Sequence, residues 1–430
     1  MTTGSVILVI AALIIYIFTT VGGYDQIEDT VTKIYYADNI SPCHETLIDR
    51  FNTEYKGEIE LVPVSLPFSK FSTNDRKELL ARTLRSRSSR IDIFAVDLIW
   101  VPRFARWCMP LDSIFTDDKR NAIIKPALES CTYNERLYAM PLYIDVGLMY
   151  YRKDIINTLS NSEQVVEKLK RSMTWNEFLE LSKRLSSHHG PYFMYPANNF
   201  EGLVCFFLAG INSNNASIFS GDSIQLCQPK IDEVLQFLID LVNKYKLTPS
   251  VVTKYDDFQC CLEADKRDAI FFVGWPGFRK HFEGFINKPE RAENLGITAI
   301  PHFEGGIPSH VYGGWNLMIS KHSENKDAAI KFIQFAQRPE NQKMLYKSCG
   351  YLPIINSVYN DTAFVNSEPD LKFYKQLIDM GFHRPYRINY TKISDNISYF
   401  VNLAIKGDLD SRDALKKATQ SINSDMIIIK

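Results

Sequence analysis

The stretch IDIFAVDLIW, residues 91–100, constrains the fold more than any other part of this chain. Its centre, IFAV, is a short continuous apolar run, the pattern of a parallel strand buried on both faces rather than one with a solvated side. Ahead of it come KIYYAD (33–38), ETLIDRFNTEY, IELVPV and DRKELLARTLRSR, which alternate strand, helix, strand, helix. Together they form βαβαβ, which predicts a parallel sheet covered by helices. In such sheets ligands bind beyond the carboxyl ends of the strands. Asp97 stands at such an end, and Trp100 follows one short step later.

With 430 residues the chain exceeds the roughly 100–200 residues that one core usually serves, so two lobes are expected. A hydrophobic fraction of 45% beside 23% charged residues lets each lobe bury an ordinary core. The formal net charge of −1 supplies no global attraction for nucleic acid, and the basic run RTLRSRSSR (82–90) is assigned to a helix end and loop. No internal repeat and no low-complexity linker is present, so several chain crossings, rather than one tether, should join the lobes.

Val6 to Phe18 is unbroken apolar sequence, and with its flanks it reaches the ~20 residues needed to cross a bilayer. Residues 1–23 are therefore expected to be an apolar helix that serves as a signal peptide or an uncleaved anchor, with the rest of the chain outside the cytoplasm. Eight cysteines suit an oxidising compartment, and Cys108–Cys131 and Cys205–Cys227 are the attractive pairs because each closes a short loop; free buried thiols are the alternative. Only Cys260 and Cys261 are close in sequence, so no metal site is expected, and no cofactor motif is present.

Helix starts are expected at Thr174, with Glu177 completing a capping box, at Ser323 and at Ser411. Two further motifs, GWPG (274–277) and GGWN (313–316), set tryptophans between glycines. Either the glycines shape turns around core rings, or they leave the ring faces bare for a ligand.

Seven segments in order resemble the extracellular solute-binding proteins of ABC sugar transporters, and most closely the trehalose/maltose-binding type. They are IDIFAVDLIW (91–100), YAMPLYIDVGLMYYRKDII (138–156), TWNEFLELSKRL (174–185), FEGLVCFF (200–207), FFVGWPGF (271–278), YGGWNLMISKHSENKDAAIKFIQF (312–335) and HRPYRINYTKISDNI (383–397). The resemblance implies an α/β, two-lobed periplasmic-binding-protein fold with three interlobe crossings and a ligand cleft. It places the crossings near Pro141–Val146, Phe271–Trp275 and Gly313–Asn316. One lobe would comprise residues 30–142 and 273–314, the other 146–270 and 317–430.

The resemblance also implies a site. A pyranose offers an apolar C–H face and a rim of hydroxyls, so its site needs flat aromatic surfaces and planar acceptors or donors. Trp275, Trp315 and Trp100 supply faces, Asp97 and Asp145 carboxylates, Tyr143 a ring and a hydroxyl, Arg384 a donor fork, and Gly313 and Gly314 backbone groups. Each polar candidate has a structural alternative: a strand-end cap for Asp97, core packing for Tyr143, a salt bridge for Arg384. The family's usual acidic residue after the first strand is not evident; Asp38, Asn39 and Glu45 are the candidates there.

The implied function is extracytoplasmic binding of a di- or oligosaccharide by cleft closure, for delivery to the membrane subunits of an ABC importer, by a monomer. A membrane-anchored sugar sensor acting through a partner is the alternative. A glycosidase would need two suitably spaced carboxylates; no hydrolase elbow, P-loop or paired metal-ligand motif is present, so an enzyme is not expected.

Overall fold

A computed structural model of the chain describes residues 31–67, 70–71, 73–221, 223–283 and 288–424. The expected apolar helix over residues 1–23 lies outside the described residues.

The opening units form as the alternation requires: β1 (Thr32–Asp38), α1 (Pro42–Glu54), β2 (Ile59–Ser65), α2 (Thr73–Arg85) and β3 (Ile93–Asp97). β1 pairs in parallel with both β2 and β3, and Ile93 to Val96 are fully buried, as a strand covered on both faces demands. β4 (Met140–Val146) belongs to the same sheet, whereas β5 (Leu148–Arg152) belongs to a second one. The chain therefore changes sheets at Gly147.

The second sheet has the order β8–β5–β7–β6, where β6 is Phe193–Met194, β7 is Phe271–Gly274 and β8 is Leu295–Thr298. Over it lie α3 (Trp175–Arg184) and α4 (Glu201–Ser213), with the Trp175 ring in contact with those of Phe178, Phe193 and Phe206. Thr174 and Glu177 make the expected capping box at the start of α3. α5 (Asp257–Lys266) leads into β7, after which Pro276 and Gly277 lie against Gly350 of the first lobe. β9 (His310–Ile319) then returns to the first sheet, antiparallel to both β3 and β4, and β10 (Gly381–Phe382) pairs with its first residues.

The structure corrects the expected lobe boundaries. β8 lies within 273–314 yet pairs with β5 of the second sheet. α6 (Lys326–Ala336) and α7 (Pro339–Cys349) lie within 317–430 yet cover the first sheet. Phe332 and Phe335 of α6 meet Phe51 of α1 edge-on, and Cys43 is bonded to Cys349. The reason is coverage: a sheet buried on both faces needs helices on both, and α6 brings an apolar stripe of Ala329, Phe332, Ile333 and Ala336. The last helices, α8 (Tyr390–Lys406) and α9 (Ser411–Asn423), complete the second lobe.

Two smaller expectations also change. Asn325, not Ser323, is the residue before α6, because the Ser323 hydroxyl is turned to Asp92 at 2.5 Å and to the Asn325 N–H at 3.1 Å. α9 does open at Ser411, with Asp410 as its cap accepting the Asp413 N–H. The two expected disulfides are not formed: Cys108, Cys131, Cys205 and Cys227 are thiols. Short loops make closure cheap, but a disulfide needs its Cα atoms in range, and it is Cys43 and Cys349, 306 residues apart in sequence, that stand 6.1 Å apart.

Candidate functional site

One ladder builds the site. β9 lies between β3 and β4, and its Trp315 is paired with Asp97 on one side and Tyr143 on the other. Two residues back, Gly313 is paired with Asp145. Because side chains alternate along a strand, Asp97, Trp315, Tyr143 and Asp145 emerge on the same face, and Gly313 leaves that face open between them. Trp275 comes over from the end of β7 and fills the opening. A Cβ on Gly313 would stand 2.9 Å from Cζ3 of Trp275 and 3.3 Å from Cβ of Asp145. Gly314 serves another need, since its φ of +129° and the carbonyl of Tyr143, 2.6 Å from a Cβ placed there, both exclude a side chain.

The charges are unequal. Oδ1 of Asp145 is buried with no hydrogen-bond partner among the described residues. Burial, and then the nearby Asp97 carboxylate, hold the Asp145 carboxyl well above the usual range. Asp97 is instead engaged: it accepts the Ile99 N–H at 3.1 Å and the Arg384 Nη2 at 2.7 Å. Arg384, only 2% exposed, also gives Nη1 to Glu201 at 2.7 Å. The strand-end cap and the salt bridge are thus both present, within the cluster rather than instead of it. Trp275 and Trp315 are half-buried, whereas Trp100 is buried with its ring toward Lys77 Nζ at 5.5 Å.

A model of the bacterial extracellular solute-binding protein family matches residues 44–343, well over half of the chain. The chain belongs to this family. Among curated relatives, this solute-binding protein is 23% identical to a probable ABC transporter-binding protein of Deinococcus radiodurans over 83% of this chain and 84% of that one. It is also 23% identical to a maltotriose-binding protein of Pyrococcus abyssi, over 68% and 61%. Among solved structures, maltose-bound MalE3 of T. maritima superposes with a TM-score of 0.83 at 26% identity, covering 91% of this chain and 99% of that one. The T. maritima protein shares the two-lobed architecture.

In the solute-binding protein the loop after β1 resolves differently from any single candidate. Asp38 is 3% exposed; it accepts from Arg76 Nη2 at 2.8 Å and from the Tyr36 hydroxyl at 2.5 Å, and its Oδ1 receives the Asn39 N–H at 2.6 Å. Glu45 is exposed on α1, and its neighbour His44 is the residue turned inward, 3.4 Å from Asp38. Burial pushes the His44 imidazole down.

Sequence reasoning missed four members of the cluster. Arg76 is buried on α2 and sits 4.4 Å above the Trp315 ring. Tyr351 stacks on Tyr143 with centroids 3.9 Å apart and planes 8° apart. Glu201 binds Arg384, and Asp257 packs over Gly202, where a Cβ would come within 2.5 Å of its carboxylate. The glutamate lay in a quoted segment, FEGLVCFF, as the one charge ahead of an apolar run; that isolation was the available signal.

Proposed function

We propose that this protein binds a sugar, a di- or oligosaccharide, in the cleft between its lobes and delivers it outside the cytoplasm to an ABC importer. The observation that carries the reading is the single face on which Asp97, Asp145, Tyr143 and Trp315 meet Trp275 from the other lobe's strand. Aromatic planes beside carboxylates are what the C–H face and hydroxyl rim of a pyranose require. Glycines at 313 and 314 let the ring and the backbone approach closely.

Relatives support the solute class: the names of two refer to maltotriose and arabinooligosaccharide, and the T. maritima neighbour holds maltose. The family name and the transporter-binding relative support the location and the partner. Recognition proceeds by closure: a sugar that touches both lobes favours the closed form by its differential affinity for the two. The importer reads closure. We assign no catalytic role to the Asp97–Asp145 pair, since Asp97 is already charge-paired with Arg384.

The anchored arrangement of residues 1–23 and the monomeric state belong to the same proposal; no helix among the described residues is long and apolar enough to cross a membrane. A thermal-shift screen of mono- and disaccharides tests the reading. A selective ligand at concentration [L] raises stability by RT ln(1 + [L]/Kd), and a flat response across maltose, trehalose, maltotriose and the common monosaccharides would sink it.

A further inference from the structure

The side chain of Arg384 joins the lobes, but its two carboxylate partners are held in different ways. Asp97 ends a strand of the first sheet and, beside the guanidinium, accepts one backbone N–H. Glu201 opens α4 of the second lobe and, beside the guanidinium, accepts the hydroxyls of Tyr390 and Ser394, both from α8. The N-terminus of a thirteen-residue helix further favours a carboxylate at that position. Asp97 is also the partner that stands in the ligand row beside Trp315.

A guanidinium 2% exposed cannot lose both counter-charges without a large desolvation penalty. When a ligand hydroxyl or an opening of the lobes takes Asp97 away, Glu201 is the partner that remains. We propose that Glu201 is a positioning residue for ligand binding: it fixes Arg384 on the second lobe's wall, so that Nη2 stays aimed across the cleft at Asp97 and at ligand hydroxyls. The Glu201–Arg384 pairing stands by itself, and its effect on affinity rests on the sugar-binding reading.

The test compares the full-length chain with Glu201→Gln, which keeps one oxygen acceptor for the Tyr390 hydroxyl and turns an amide N–H to the Ser394 hydroxyl, which can accept it, but removes the charge. Maltose is the probe, measured by calorimetry well below the melting temperature of every variant. Glu201→Gln should raise the maltose Kd about tenfold, and the same change made on an Arg384→Ala background should leave Kd within twofold, because the glutamate acts through the arginine. An equal loss on both backgrounds, or none on either, overturns the proposal.

A second readout needs no sugar. With Nη1 and Nη2 bound to different partners, the Arg384 guanidinium should rotate slowly and show separate Nη resonances, assigned by Arg384→Lys, which merge in Glu201→Gln. Unchanged resonances in that variant overturn the proposal. If the wild type binds no sugar while the resonances merge, the sugar reading fails and the positioning role toward Arg384 stands. Should Glu201→Gln not fold, Glu201→Asp retains the charge but shortens its reach, and the same two readouts apply.

Discussion

The indole of Trp275 rests on the backbone of Gly313: a Cβ at Gly313 would lie 2.9 Å from Cζ3 of the ring. The two glycine-flanked tryptophan motifs are therefore halves of one contact, with the first motif's ring lying on the second motif's glycine. Gly313→Ala should displace the indole by a few tenths of an ångström or more, since neither Asp145 nor the β4 ladder can yield. Maltose affinity is expected to fall about tenfold, or about 1.4 kcal/mol, with little change in unliganded melting temperature. Calorimetric titration and a thermal melt of the same sample decide it.

The two tryptophans should respond differently to truncation. Trp275→Ala removes a half-buried face from the cleft, so sugar affinity is expected to drop by about 2 kcal/mol, roughly thirtyfold, with the fold retained. Trp315→Ala does the same and also uncovers Arg76, whose guanidinium lies 4.4 Å above the ring, so it should lower the melting temperature as well. Loss of stability without loss of affinity in both variants would make these rings packing elements.

Much of this was legible because it follows from periodicity and from local rules. IFAV announced a doubly covered strand, and Thr174 with Glu177 announced a helix start. The order of motifs puts Asp97, Tyr143, Asp145, Trp275, Trp315 and Arg384 in one set without reference to any distance. Partnership was not legible. Arg76 shares α2 with the exposed Arg82 and Arg85, and nothing local tells it from them; only the tertiary packing over Trp315 does. Tyr351 likewise lies over 200 residues from the ring it stacks on. The lobe boundaries failed for a related reason, since which sheet a helix covers is decided by where apolar area is still open, not by where the chain last crossed.

The Cys43–Cys349 bond ties the start of α1 to the end of α7, beside Ser41, whose hydroxyl lies 3.4 Å from that of Tyr351. Non-reducing peptide mapping should recover Cys43 linked to Cys349 and should leave Cys108, Cys131 and Cys205 as thiols. The double change Cys43→Ser with Cys349→Ser is expected to cost about 2–4 kcal/mol of stability, seen as a lower melting temperature that reductant no longer affects.

Asp145 makes a prediction of sign. Its folded-state carboxyl is held above the usual range by burial and by Asp97, so the folded chain keeps a proton that the unfolded chain releases. Stability should therefore fall as pH rises from the ordinary carboxylate range toward the raised folded value. Asp145→Asn removes that dependence. Urea unfolding across this window should show the wild type losing ground to the variant as pH increases, and parallel curves would show that the Asp145 proton is not retained.

His310 runs the opposite way and acts at a crossing. It is fully buried at the start of β9, and its Nδ1 contacts the Gly147 carbonyl at 2.9 Å, where the chain passes between sheets. Burial pushes the imidazole down to about 4. The unfolded chain binds a proton from about pH 6.5 downward, whereas the folded chain stays neutral until about 4. Stability should thus be fully present above the unfolded value and be lost as pH falls through that window. The hydrogen bond also fixes the tautomer, with Nδ1–H donating to the carbonyl. His310→Gln keeps a donor without the titration, so its stability should vary less with pH between about 6.5 and 4, with the two chains comparable at neutral pH. Equal acid sensitivity of both chains in unfolding would show that His310 already carries its proton in the folded state or that other groups govern the response.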